Sequence, residues 1–95
     1  MATRQITPPS RIILTSNVVK IWIAVCDGNA TANEIAAASG VHWRTTRSIL
    51  DKLEFYGAIT SDAFIPRSYE VNRHPNTRGA EVIGLLKEAA TGGVR

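Results

Sequence analysis

A chain of 95 residues has room for one compact core and none for two ordinary domains, and an apolar share of 44% is enough to build that core, which excludes a disordered chain. Lys plus Arg number 11 against 8 Asp plus Glu, so the lean towards polyanions is mild, and where the cations sit matters more than their sum. One cysteine, Cys26, excludes an intrachain disulfide and favours a cytoplasmic setting, while the longest apolar run, residues 18–26, is interrupted by Lys20 and falls far short of the ~20 residues of a membrane span.

Residues 1–9 contain Pro8-Pro9 and no periodicity, which predicts an extended or disordered lead-in, and Arg4 and Arg11 make residues 1–15 a basic arm. No basic, apolar and small-residue succession marks a signal peptide. SRIIL, residues 10–14, reads either as a short strand or as an early turn of the next helix. Ser16 is the expected N-cap of a helix running to about Asp27, with Gly28 as its stop. Val18, Ile21, Trp22, Val25 and Cys26 share a broad arc that Val19 and Ile23 widen, which predicts a helix at the centre of the domain.

Thr31 and Glu34 stand three apart as a capping box at the start of a short helix that ends at Gly40. A third helix is expected from near His42 to about Tyr56, ended by Gly57, with Thr46, Ile49, Leu50 and Leu53 inward. The period then changes. AITSDAF and SYEVNR have strand character, IPRS between them reads as a turn, and Pro75 closes the hairpin. A last helix is expected from Asn76 or Thr77 to Ala90, followed by a flexible tail over residues 91–95.

The segment EIAAASGVHWRTTRSILDKLEFYGAI resembles the helix-turn-helix of bacterial and archaeal transcriptional regulators, and the hairpin after YGAI makes the resemblance one to the winged helix-turn-helix family. Ala36 stands where a small residue lets two helices cross closely. Gly40-Val41 forms the turn and its apolar plug, and Ile49, Leu50, Leu53 and Gly57-Ala58-Ile59 match the end of the recognition helix and the first wing strand. The match covers roughly residues 16–74. It implies a mainly α fold with a small β-hairpin (α+β): a three-helix core plus wing over 16–75 and a C-terminal helix over 76–90. His42 departs from the pattern where Ser, Thr or Asp commonly caps the recognition helix, and Thr46 where Val is usual. The first predicts a weaker cap, at a cost of about 0.5–2 kcal/mol. The second predicts a hydroxyl bonded to a backbone carbonyl one turn earlier.

The resemblance implies binding of double-stranded DNA, with the third helix in the major groove and the wing on the backbone. At about 100° per residue, Arg44, Arg47, Ser48 and Asp51 fall opposite the apolar face. Arg44 and Arg47 are the expected base or phosphate contacts, His42 and Trp43 lead that helix, and Thr45 and Ser48 suit phosphate oxygens. Thr31 and Asn33 at the start of the second helix, and Arg67 and Arg73 on the wing, complete the candidate set. Plainer readings stand beside these. Arg44 and Arg47 solvate a helix face and pair with Asp51; Trp43 is half-buried rather than stacked on nucleic acid; Arg67 and Arg73 are solvated strand residues. Phe55 projects outward, either as a partner surface or as a side chain covered by the N-terminal segment.

Val82, Ile83, Leu85, Leu86 and Ala89 give the last helix a wide apolar arc, part of which must close the core and part of which suits a homodimer. His42, His74 and Cys26 lack metal-ligand spacing, and no catalytic triad or Gly-rich phosphate loop is present, so neither cofactor nor enzyme activity is expected. Two functions follow: a DNA-binding transcriptional regulator of the repressor kind, acting by occupying a site, or a winged-helix protein-interaction module in a replication, transcription or partition complex, anchored by Trp43 and Phe55.

Overall fold

The computed structural model describes residues 14–62 and 67–91. The expectations for the basic arm up to residue 13, for residues 63–66, which take in the end of AITSDAF and the first half of the IPRS turn, and for residues 92–95 lie outside the described residues.

Helix α1 (Ser16–Cys26) is capped by Thr15, one residue before the expected cap. Thr15 holds the extended backbone a cap requires (φ −85°, ψ 166°), and its Oγ1 accepts from Val18 N at 3.3 Å, so Ser16 becomes the first helical residue. The buried stripe is Val18, Ile21, Trp22, Ala24 and Val25. Cys26 and Ile23, expected on that arc, are exposed. The stripe is rotated towards Ala24, whose small side chain permits close approach of a neighbour without registering in a hydropathy pattern. As expected of a central helix, α1 packs against α2 (Ala32–Ser39), α3 (Trp43–Phe55), strand β2 (Ser68–Val71) and α4 (Thr77–Thr91).

The capping box of α2 is complete: Glu34 N donates to Thr31 Oγ1 at 3.2 Å, and Thr31 N donates to Glu34 Oε1 at 3.2 Å. Gly40 ends the helix at φ 74°, a left-handed conformation that costs glycine little, and Val41 plugs the core beneath the turn. Helix α3 buries Thr46, Ile49, Leu50 and Leu53. His42 caps the helix through its side chain, Nδ1 accepting from Arg44 N at 3.1 Å. The buried Thr46 hydroxyl donates to Val41 O at 3.2 Å, five residues back, while Thr46 N donates to His42 O at 2.9 Å.

Strand β1 (Ile59–Asp62) pairs antiparallel with β2 in the register Ile59↔Val71 to Asp62↔Ser68. The chain before α2 joins the same sheet edge: Tyr69 N donates to Ala30 O at 2.8 Å, and Thr31 bridges Ser68. Helix α4 then closes the core with Val82, Ile83 and Leu86.

Candidate functional site

The outer face of α3 follows from the period of its inner one. With residues 46, 49, 50 and 53 buried, Arg44, Thr45, Arg47, Ser48, Asp51, Lys52 and Phe55 are all exposed. Among the described residues neither Arg44 nor Arg47 has a carboxylate within ion-pair distance, so the pairing of Arg47 with Asp51 is not formed. The Arg44 guanidinium instead lies 5.9 Å from the centre of the Trp43 ring. Trp43 is 50% exposed and stacks at 6.0 Å on His42, so the leading end of α3 presents two rings and a cation to solvent.

A shallow depression of about 420 Å³ lies between the starts of α2 and α3 and the foot of the hairpin. Thr31, Asn33, Trp43, Arg47 and Arg67 line it together with Ala32 and Tyr69. Residues from three separate stretches of sequence thus meet in one concavity that carries two guanidinium groups. Glu34 stands beside it at the mouth of α2. The backbone N–H groups of Ala30 and then Thr31 hold its carboxyl below the ordinary glutamate range, which keeps the capping box ionised and intact.

The hairpin is fixed to α3 through one carboxylate. Glu54 Oε2 accepts from Ser61 Oγ on β1 at 2.6 Å, while Oε1 lies 3.8 Å from Arg67 Nη2 just ahead of β2. Arg67 also rests 5.9 Å from the centre of the Tyr69 ring. Glu54 thus ties α3 to both strands' near ends, and Arg67 also lines the depression. Arg73 does not line that concavity; it is almost fully exposed and lies 4.0 Å from Glu70.

On α4, Val82, Ile83 and Leu86 are buried within the chain's own core. Of the five residues expected at a dimer interface, only Leu85, 43% exposed, and part of Ala89 remain at the surface. Glu54, Ser61 and Tyr69 were not singled out from the sequence. Tyr69 carried a signal, since it occupies an inward position of the strand period, whereas the Glu54 latch joins residues 7 and 13 positions apart and no local pattern marks it. No described helix is long and apolar enough to cross a membrane, and among the described residues no three His, Cys, Asp or Glu side chains gather as a metal site would require.

Three helices, the last two joined by a Gly-Val turn, then a two-stranded hairpin latched to the third helix and a closing helix, define the architecture. The fold is a winged helix. No family model and no curated protein matches the chain. Among solved structures it is similar to a MarR family protein from Bacillus stearothermophilus, with a TM-score of 0.57 and 16% sequence identity over 86% of this chain and 56% of the other. The chain therefore spans little more than half the length of that protein, and the likeness is one of winged-helix fold.

Proposed function

We propose that this winged helix is a sequence-specific double-stranded-DNA-binding transcriptional regulator of the repressor kind, with α3 in the major groove and the wing along the backbone. The observation that carries the reading is the joint placement of two cationic groups and a half-exposed tryptophan: Arg47, Arg67 and Trp43 border one depression at the leading end of α3, and Arg44 stands exposed beside it without an acidic partner among the described residues. Arg44 and Arg47, unlike Arg67 with its Glu54 partner, have no carboxylate at hand among the described residues and can donate two hydrogen bonds to guanine or neutralise phosphates. Thr31 and Asn33 line the same depression, and in this reading they meet the sugar-phosphate backbone while α3 meets base edges. A two-fold homodimer built through the surface remainder of α4, around Leu85 and Ala89, would present two such edges to two half-sites.

The test is selection of bound fragments from random duplex DNA at near-physiological salt, followed by a salt series on the enriched site and a sizing measurement. Affinity should fall steeply as salt rises, and Arg44→Ala or Arg47→Ala should each weaken specific binding by about 1–3 kcal/mol while leaving the fold intact. Binding that ignores both salt and the two substitutions would refute the proposal. A second reading, a protein-interaction module, is favoured by the exposure of two aromatic side chains, Trp43 at 50% and Phe55 at 66%. It predicts that Trp43→Ala abolishes capture of a protein partner and leaves retention on DNA unchanged.

A further inference from the structure

The outer face of α3 has a second side, turned away from the depression and towards the start of α1. There Phe55 and Lys52 form one wall of a groove of about 580 Å³, Thr15 forms the other, and Val18, Ile49 and Tyr56 supply an apolar floor. Phe55 meets Tyr56 edge-on at 5.4 Å and carries the Arg78 guanidinium 5.3 Å from its ring centre, yet two-thirds of its surface stays open. An apolar floor beside an uncovered aromatic ring is costly in water unless something occupies it.

We propose that the occupant is the chain's own segment Arg11-Ile12-Ile13, which lies outside the described residues and runs directly into Leu14. Three observations carry this. Leu14 packs against the core and Thr15 lines the groove, so the segment enters at the groove's wall. An extended chain advances at most about 3.5 Å per residue, so Ile12 and Ile13 stay within about 7 Å of Leu14, a tether that gives them an effective concentration no free ligand matches easily. The chemistry is also complementary: two branched apolar side chains suit the floor, and Asp51, which lines the groove without an ion-pair partner among the described residues, suits Arg11.

The seat leaves Arg47 and the depression on the other side of α3 uncovered, while it adjoins Thr45 and Ser48, which line the groove. Its further consequence, that Arg11 adds a cation alongside the DNA-facing edge, rests on the reading under Proposed function; the seat itself does not. The test is an NMR experiment on the full chain with labelled isoleucine methyls and aromatic rings. Nuclear Overhauser contacts from Ile12 or Ile13 to the Phe55 or Tyr56 ring are expected, unchanged on dilution, and Ile12→Ser/Ile13→Ser should abolish them and shift the Phe55 and Tyr56 resonances while the core signals stay in place. Absence of these contacts, with Ile12 and Ile13 methyls at their unstructured shifts, would overturn the proposal. So would contacts seen only between differently labelled chains, which would assign the groove to a second copy. Contacts present in a chain that binds no duplex would uphold the seat and remove the DNA reading, whereas salt-sensitive duplex binding without the contacts would remove the seat alone.

Discussion

Replacing either of two glycines in α4 by alanine should shift stability in opposite directions, and the contrast tests the close approach of the first turn of α4 to Gly57, just past the end of α3. Gly84 is exposed and a Cβ built there meets no atom within 4 Å, so Gly84→Ala gains the intrinsic helix preference of alanine, about 1 kcal/mol. At Gly79 a Cβ would lie 2.6 Å from Gly57 O, 3.1 Å from Gly57 C and 3.1 Å from Pro75 Cβ. The obstacles are a proline ring and the backbone of a residue held at φ 85° to end α3, and neither gives way as a long side chain does. Overpacking of this kind costs about 1–3 kcal/mol, and rigid neighbours place it at the upper end. Set against the same intrinsic gain of about 1 kcal/mol, Gly79→Ala should destabilise by about 2 kcal/mol, leaving the two variants about 3 kcal/mol apart. Urea unfolding followed by the fluorescence of Trp22, which is buried in the core, measures both. A thermal midpoint lower by on the order of 10 °C should accompany Gly79→Ala. If Gly79→Ala proved as stable as the parent or gained as much as Gly84→Ala, the contact between α4 and the turn after α3 would be refuted.

Three further outcomes follow from the site. Because the folded state holds the Glu34 carboxyl below its ordinary value, the capping box contributes stability above the usual glutamate range near about pH 4.3 and loses it as pH falls through the lower folded value; amide shifts of Ala30 and Thr31 should titrate with the Glu34 carboxyl, and in Glu34→Gln that titration should vanish. Glu54→Ala should cost about 1 kcal/mol and speed amide exchange in β1 and β2, whereas Glu54→Gln, which keeps an acceptor for Ser61, should cost much less because the ion pair with Arg67 is half-exposed; equal losses in urea unfolding would show that charge rather than the hydrogen bond holds the wing. The Cys26 thiol is pushed up by partial burial and by the neighbouring Asp27 charge, with Lys87 opposing, so it should react with a maleimide or disulfide reagent more slowly at pH 8 than a free thiol peptide; faster reaction would contradict that environment.

Much of this architecture is legible in the sequence because it is locally encoded. The Thr31 and Glu34 pair, the glycines at 40 and 57 and the spacing of Ile49, Leu50 and Leu53 each act within one or two helical turns, and each does in the structure what its spacing implies. The misplaced features depend on geometry that spacing does not carry. Thr15 and Ser16 both offer a γ-oxygen, and only the extended backbone at Thr15 decides between them. Cys26 and Ala24 change places because closeness of approach, not hydropathy, sets the edge of the buried stripe. The candidate DNA contacts were legible as separate residues, but the concavity joining positions 31–33, 43–47 and 67–69 exists only once the hairpin folds back against the start of α2, where Tyr69 N donates to Ala30 O and Thr31 bridges Ser68. The division of the dimer candidates on α4 into buried and exposed could not be read from one helix alone, since it depends on where α1 lies.

The histidine at the head of α3 has a consequence of its own. By accepting from Arg44 N through Nδ1, the neutral imidazole is committed to the tautomer that carries its hydrogen on Nε2. One atom of the ring secures the backbone, and the other is left as a hydrogen-bond donor on an exposed side chain next to Trp43. An aspartate in the same place would also cap the backbone but would offer only acceptors on its exposed side, so the imidazole puts a donor where a carboxylate would put a negative charge.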